Sequence, residues 1–188
     1  SVTSYLMLRR IIGALGVSMP FLLTGGCWLF GECEGVLLTL SDYYSSVMGD
    51  VYVGCLFTIG FFLIVYQGYD KTDNWVASVG GIFAILTALF PTTHQNSAIV
   101  NAHFIFAATF FVVLAYFCFF LFTKSDAQIT PQKRLRNRTY RTAGVIMVSC
   151  MGLMLIFKLF FEETSVVNYR PMYVFESIAP VSYTHLTL

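Results

Sequence analysis

One polar segment divides a chain that otherwise consists of apolar runs. It spans Lys124–Arg141 (KSDAQITPQKRLRNRTYR), lies directly between two apolar runs, and holds six of the eleven Lys and Arg residues. Short positively charged loops between membrane spans stay on the cytoplasmic side. The position of this segment therefore predicts a polytopic membrane protein in which residues 124–141 form a cytoplasmic loop, rather than a patch that binds nucleic acid.

The composition points to the same class of protein. Apolar residues make up 57% of the chain and charged residues 11%, against about 25% charged residues in an ordinary soluble domain. A membrane-spanning helix needs about 20 residues, so five or six spans account for all 188 residues. We expect one domain, residues 1–180, with an all-α fold. The formal net charge of +1 gives no reason to expect a nucleic-acid partner.

The apolar runs predict a polytopic helix bundle with five complete transmembrane helices and a truncated sixth. The predicted spans are residues 11–30, 51–66, 75–90, 99–123, 142–161 and, truncated, 173–180. Pro20 predicts a kink in the first span. Gly54 and Gly60 predict close contacts of the second span with its neighbours. Small residues predict that the third span is central, namely Ala77, Gly80, Gly81, Ala84 and Ala88.

The distribution of charge between the two sides of these spans predicts their orientation. With the N-terminus inside, the cytoplasmic side carries nine bases and three acids, a net charge of +6. The outer side carries two bases and seven acids, a net charge of −5. This asymmetry follows the positive-inside rule. We therefore expect a cytoplasmic N-terminus, and an outer segment 31–50 that lies at the level of the lipid headgroups because it contains an apolar patch and two tyrosines.

Two of the five cysteines are candidates for a disulfide. Cys27 and Cys33 lie near the outer end of the first span, where an oxidising compartment would allow them to pair. The alternative is that they are small packing residues, as we expect for Cys55, Cys118 and Cys150. No cysteine spacing indicates a metal site.

The end of the chain departs from the pattern of complete spans. Residues 173–180 begin like a sixth span, and residues 181–188 (VSYTHLTL) resemble the translated read-through of a sequencing adaptor, which recurs at the ends of unrelated metagenomic proteins. We expect residues 181–188 to be a non-native tail that makes few contacts, so that His185 has no chemical role. We also expect the native protein to continue through a full sixth helix.

Five segments together carry a resemblance to a protein family. They are RRIIGALGVSMPF, SDYYSSVMGDVYVGCLFTIGFFLIVYQGYDKTDN, GIFAILTALFPT, HFIFAATFFVVLAYFCFFLFTK and QKRLRNRTYR. They resemble a bacterial family of small six-helix integral membrane proteins of unknown function, and the resemblance covers nearly all of residues 4–179. It implies a six-helix fold in the bacterial cytoplasmic (inner) membrane. It supplies no catalytic residues, because the family has no assigned activity.

Polar side chains from several segments share one predicted depth near the outer surface. This predicted outer polar cluster consists of Ser41, Tyr44, Asp50, His94, Asn101, His103 and Glu176. An ionisable group inside a span is costly and usually faces the bundle interior or a watery cavity, which singles out Asp50 and His103. We expect these two to line one pocket that opens outward between the second, third and fourth spans.

A structural role is the alternative for the same residues. In that case His103 bonds an Asn or a carbonyl group, Asp50 caps the second helix, and Ser41 forms a turn with Asp42. Motifs of phosphate-binding loops, dinucleotide-binding folds, serine hydrolases and zinc peptidases are missing from the sequence.

Three classes of function remain. A non-enzymatic bundle that binds a lipid or a small apolar molecule in an outward-facing pocket is favoured, with membrane lipids as partners and no cofactor. The second class is an outward-facing metal-dependent membrane hydrolase, since His94, His103 and Asp50 are ligand types for zinc. It would be broadly similar to the alkaline ceramidase and adiponectin-receptor group, although an HxxxH pair is missing and the histidines and spans are too few. The third is a helix-packing subunit or scaffold that acts through partner membrane helices.

Overall fold

The computed structural model of the chain is all-helical. It describes residues 2–31, 33, 35–68, 70–124, 131–160 and 170–184. In this part of the chain six α-helices follow one another without any strand: α1 (Val2–Leu29), α2 (Gly49–Ile64), α3 (Lys71–Leu89), α4 (Ser97–Tyr116), α5 (Pro131–Phe160) and α6 (Pro171–Thr184). A π-helical segment, Phe117–Leu121, extends α4. The predicted all-α fold is confirmed.

Four of these helices are long and apolar enough to cross a membrane. They are the Ile11–Leu29 part of α1, α3, α4 with its π-helical extension, and α5. Their length and composition are those of the spans of a multi-pass membrane protein. α2 has 16 residues, about 24 Å at 1.5 Å per residue, which is less than the hydrocarbon core of about 30 Å. A complete second span therefore stays a prediction.

The polar segment between the fourth and fifth spans differs from the prediction. It was expected to be a loop as far as residue 141, but α5 begins at Pro131 and continues as one helix of 30 residues to Phe160. Proline is favoured in the first turn of a helix, and the Gln, Lys, Arg and Leu residues that follow are good helix formers. The helix therefore starts well before the apolar run. Residues 125–130 and 161–169 lie outside the described residues.

The helices at the two ends of the chain are longer than predicted. α1 begins at Val2, ahead of the apolar run, and continues through Pro20. α6 continues to Thr184, so the first part of the expected non-native tail is helical. Residues 185–188, including His185, lie outside the described residues.

Glycines allow α2 and α3 to approach closely. A Cβ atom on Gly60 would lie 2.8 Å from the carbonyl oxygen of Gly81, and one on Gly81 would collide with the carbonyl oxygen of Gly60. Gly60 is thus confirmed as a close-approach position, whereas a Cβ atom on Gly54 would meet no atom within 4 Å. The predicted packing of α3 in the bundle interior agrees with its buried alanines, Ala77, Ala84 and Ala88.

The antiparallel helices gather their connections at two ends of the bundle. We call one the cavity end: it holds the end of α1, the starts of α2, α4 and α6, and the end of α3. There Ser45 Oγ lies 2.6 Å from Thr93 Oγ1, and the N–H of Tyr173 donates to the carbonyl of Leu38 at 3.0 Å.

We call the other the lysine end. It holds the start of α3, the end of the π-helical segment and the beginning of α5. Lys124 Nζ lies 2.9 Å from Asp70 Oδ2, and Asn137 Nδ2 donates to the carbonyl of Thr123 at 3.3 Å. These contacts tie α3, α4 and α5 together.

Candidate functional site

The connection between α1 and α2 packs into the cavity end. Its centre is a short 3-10 helix, Ser41–Ser45. The N–H of Thr39 donates to Asp42 Oδ2 at 2.9 Å, and the N–H of Asp42 donates to Thr39 Oγ1 at 3.1 Å, which confirms the predicted turn. Leu40, Ser41 and Tyr43 are buried. This part of the connection therefore belongs to the packed bundle and does not lie on its surface.

Tyr43 joins this connection to two helices. Its side chain is fully buried, and its hydroxyl oxygen lies 3.2 Å from Thr24 Oγ1 and accepts from the N–H of Leu37 at 3.3 Å. Tyr173 of α6 places its own hydroxyl 2.7 Å from Thr24 Oγ1. α1, the 3-10 helix and α6 are thus linked by one network of neutral groups.

A disulfide lies at the same end. Cys27 and Cys33 are bonded, with their Cα atoms 5.4 Å apart, which is within the usual range for disulfides. Of the two possibilities that the sequence left open for these cysteines, the structure shows the disulfide. Cys55, Cys118 and Cys150 are free and buried, as expected for packing residues.

A cavity of about 110 Å³ extends from the cavity end into the bundle. Its polar lining residues are Ser41, Tyr52, Thr87, His103 and Glu176. The rest of its wall is apolar and comes mainly from α1, α2 and α4. His103 and Leu114 both line it, and their spacing on α4 corresponds to a length of about 16 Å. The cavity is therefore elongated along the helices.

The lining changes from polar to apolar along this length. Tyr52 lies near the start of α2 and His103 near the start of α4, both at the cavity end. Ile12, Ile59 and Leu114 line the deeper part, further towards the lysine end. Mainly apolar pockets with a few placed polar groups are typical of small-molecule sites. The shape suits a molecule with one polar group and an apolar chain.

His103 is the histidine of this wall, and it is only 3% exposed. Its Nδ1 lies 3.1 Å from the carbonyl oxygen of Thr87 and 2.6 Å from that of Phe90, at the end of α3. A carbonyl oxygen only accepts, so Nδ1 carries the proton and Nε2 keeps a lone pair in the neutral ring. No described residue forms a hydrogen bond with Nε2. The structural role predicted for His103 is confirmed for Nδ1, while Nε2 is available to a ligand.

Glu176 and Ser41 close the polar end of the cavity. Glu176 is half-buried, and its Oε2 accepts from the N–H of Leu40 at 2.5 Å. Ser41 Oγ lies 3.0 Å from Thr39 Oγ1. The bond to Glu176 holds Leu40, the residue before the 3-10 helix, against α6, and the bond between Ser41 and Thr39 stays within the connection.

Asp50 does not join His103 in the lining of this cavity, which corrects the prediction that they share a site. Asp50 is exposed, and the N-cap residue of α2 is Met48 rather than Asp50. Tyr52, Leu56 and Ile59 line the cavity at a spacing that puts them on one helix face. Asp50 precedes Tyr52 by two positions, about 200° around the helix, so it points away from that face.

Three other members of the predicted cluster also lie outside the lining. Asn101 is exposed on α4, again two positions before His103 and on another face. His94 is exposed in the connection before α4, where its Nδ1 accepts from the N–H of Asn96 at 2.9 Å. Tyr44 is half-buried and packs edge-on against Tyr52, with ring centroids 6.4 Å apart. It contacts a lining residue without lining the cavity itself.

Sequence reasoning missed Tyr52 and Thr87. Tyr52 carries a usable signal, because the apolar residues four and seven positions later continue its helix face. Thr87 gives no such signal in the sequence, because it contacts His103 with its backbone carbonyl oxygen rather than with its side chain. Considering helix face in addition to depth would have selected Tyr52 and rejected Asp50.

Within the described residues, no group of three or more His, Cys, Asp or Glu side chains comes together to hold a metal ion. Of the predicted zinc ligands, His103 lines the cavity, whereas Asp50 and His94 are exposed and do not. The zinc-dependent hydrolase stays a prediction without a ligand set in this part of the chain.

Comparisons with protein-family models, with curated proteins and with solved structures found no match to this chain. The resemblance to a bacterial membrane family stays a prediction.

Proposed function

We propose that this chain binds a lipid or another small amphiphilic molecule in the cavity. The observation that supports this most directly is the polar-to-apolar change along the cavity wall, from His103 to Leu114. An apolar chain in the deeper part would be removed from water, which is favourable by roughly 25 cal/mol per Å² of apolar surface. The polar group of the ligand would lie at the cavity end.

The polar wall favours a particular kind of headgroup. The ring of His103 is held by two carbonyl oxygens at Nδ1, so its Nε2 keeps a lone pair that can accept a hydrogen bond from a ligand. A ligand that meets Nε2 must therefore donate, as a hydroxyl group does. We expect an alcohol or a monoacylglycerol-like headgroup to bind better than a headgroup without a donor.

A cavity-filling substitution tests this proposal. Ala107 lines the cavity on α4, whereas Ala108 is exposed on the same helix. We expect Ala107→Phe to weaken the binding of dansyl-labelled dodecanol by about tenfold, the effect of roughly 1.4 kcal/mol, and Ala108→Phe to leave it unchanged. Fluorescence titration of the purified protein in detergent measures both. Equal affinities of the two variants would contradict a ligand in this cavity.

A second substitution tests the polar contact alone. In His103→Asn the side-chain amide nitrogen can still donate to the α3 carbonyls, but the acceptor at Nε2 is lost. Wild-type protein should bind dansyl-labelled dodecanol about fivefold more tightly than the same probe without its hydroxyl, since a net hydrogen bond contributes about 1 kcal/mol. This preference should disappear in His103→Asn. If His103→Asn still preferred the probe with the hydroxyl group, that group would not bind at Nε2 of His103.

The proposal includes an orientation, with the cavity end outside and the lysine end in the cytoplasm. The charge asymmetry of the sequence supports it, as does a disulfide at the cavity end, because disulfides persist in oxidising compartments. The bacterial inner membrane is the location that the family resemblance predicts.

Cysteine labelling of intact cells tests the orientation. Ser45 and Arg136 are exposed at opposite ends, and the free cysteines of the described residues are buried. An impermeant maleimide should label Ser45→Cys in intact cells and Arg136→Cys only after lysis. Labelling of Arg136→Cys in intact cells would reverse the orientation.

A further inference from the structure

A basic groove runs along the first turns of α5, at the lysine end and away from the cavity. It has a volume of about 500 Å³ and is lined by Arg134, Asn137, Arg138, Arg141, Thr142 and Val145. The three arginines follow one another at i, i+4 and i+7, so they lie on one face of the helix. Three guanidinium groups therefore face the same groove.

These arginines are not neutralised by the described part of the protein. All three are exposed, and no described carboxylate lies within ion-pair distance of Arg134, Arg138 or Arg141. Lys124, at the same end, contrasts with them because it contacts both Asp70 and Asp73. The described lining of the groove thus carries a net positive charge that a ligand can match.

The face that carries the arginines continues as an apolar stripe. Val145, Val148 and Leu155 follow Arg141 at helical spacing and are 55%, 50% and 59% exposed. α5 is one of the helices long enough to cross a membrane, so this stripe faces acyl chains while the arginines lie at the level of the headgroups. A free phosphate would use the charges alone, whereas a phospholipid would also cover the apolar stripe.

We propose that this groove binds the headgroup of an anionic phospholipid, with its phosphate against Arg134, Arg138 and Arg141 and its acyl chains along the exposed face of α5. Guanidinium groups hold phosphate oxygens in paired hydrogen bonds, and basic grooves next to membrane spans attract anionic headgroups. A zwitterionic lipid brings its own cation to the groove and is bound less well. The site is independent of the cavity, so either proposal can fail alone.

Native mass spectrometry of the full chain in detergent tests the proposal. We expect phosphatidylglycerol to be retained in preference to phosphatidylcholine with the same acyl chains. Arg138→Gln should weaken the binding of phosphatidylglycerol by about fivefold, the contribution expected of one basic residue near a membrane surface. Arg136→Gln is the matched control, because Arg136 is also exposed and carries the same charge but does not line the groove.

Three results would overturn the proposal. They are equal retention of the two lipids by the wild-type protein, equal weakening by the Arg138→Gln and Arg136→Gln variants, and loss of the preference for phosphatidylglycerol when millimolar inorganic phosphate is added. The third would identify a phosphate site rather than a lipid site. The comparison of two lipids on the wild-type protein needs no variant, so the test holds even if a substitution disturbs folding.

Discussion

At the cavity end hydroxyl and backbone groups make most of the contacts between elements, and the carboxyl group of Glu176 bonds the N–H of Leu40. At the lysine end a lysine is paired with two aspartates. The hydroxyls of Tyr43 and Tyr173 both reach Thr24 Oγ1, at 3.2 Å and 2.7 Å. At the lysine end Lys124 Nζ lies 2.9 Å from Asp70 Oδ2 and 2.5 Å from Asp73 Oδ1. The same bundle therefore closes its two ends with different chemistry.

The difference follows from exposure. The side chains of Lys124 and Asp70 are 37% and 53% exposed, so water solvates part of their charges. Tyr43 is fully buried in an apolar cluster, where a charge without a partner would cost several kcal/mol. The hydroxyl group of Tyr43 satisfies the N–H of Leu37 there without introducing charge. The contacts of Tyr43 should therefore depend on packing, and the ion pairs of Lys124 on pH and salt.

Removal of the Tyr43 side chain should have the largest effect. Tyr43→Ala deletes a fully buried ring and its bonds to Thr24 and Leu37, and we expect a loss of about 4 kcal/mol in the free energy of unfolding. Tyr44→Ala is the control, because Tyr44 is half-buried and should cost less. Unfolding by denaturing detergent, followed by circular dichroism, measures both. Similar losses would show that Tyr43 has no special role at this end.

The helices of this fold were largely predictable, but their limits were not. Runs of apolar residues predict membrane helices because their backbone groups have no water to bond. The start of α5 at Pro131 was missed because helix formation over residues 131–141 depends on helix propensity, which hydropathy does not measure.

The depth of the site residues along the helices was predictable, but the helix face on which each of them lies was not. Ser41, His103 and Glu176 were selected because they share one depth, and all three line the cavity. Asp50 shares that depth but lies on another helix face. The bond between Thr24 and Tyr173 joins residues 149 positions apart, and nothing local in the sequence indicates such a contact.

At the lysine end, loss of the ammonium group should have the next largest effect. Asp73 is 1% exposed, and Lys124→Met would leave its carboxylate in the bundle without the lysine. Removing the charged partner of a buried carboxylate is destabilising, although the exposure of Lys124 reduces the effect, so we expect a fall in melting temperature. Lys71→Met, at an exposed lysine of the same end, should change it little. Adding Asp73→Asn to Lys124→Met should restore part of the lost melting temperature. A double variant that melts at the same temperature as Lys124→Met would contradict this account.

Loss of the disulfide should weaken the cavity end to a smaller extent. The Cys27–Cys33 bond closes a short loop, and the loop-entropy relation gives about 2 kcal/mol for a closure of this size. We expect a reducing agent to lower the melting temperature of the wild-type protein. It should have no effect on a Cys27→Ser/Cys33→Ser variant, and the Lys124→Met variant should respond as the wild type does. A response of the double-serine variant would point to another reducible group.

The smallest expected effect is the pH dependence of the lysine end. The hydrogen bond from Lys124 lowers the pKa of Asp70 below its ordinary value of 3.8, and the N–H of Asp73 lowers it further. The hydrogen bonds to Asp73 and Asp70 raise the pKa of Lys124 above its ordinary value of 10.5. The stability from Asp70 is therefore present above pH 3.8 and is lost as the pH falls through its lowered pKa. The stability from Lys124 is present below pH 10.5 and is lost as the pH rises through its raised pKa.

The Asp70→Asn variant tests the loss of stability at low pH, which we call the acid limb of the pH dependence. The amide oxygen can still accept from the N–H of Asp73, which Asp70 Oδ1 meets at 2.9 Å as the N-cap of α3, so the helix start is retained while the charge is removed. We expect the fall in melting temperature between pH 5 and pH 2 to be smaller in Asp70→Asn than in the wild type, and smaller for both proteins in 1 M salt, because salt screens exposed pairs. Since the bond from Lys124 is the largest cause of the lowered pKa, Asp70→Asn should change the acid limb much less when Lys124→Met is already present. An equal change in both backgrounds would mean that the backbone N–H of Asp73, rather than the charge of Lys124, governs the titration of Asp70. The lysine end would then depend on its ion pair less than the contacts of Lys124 indicate.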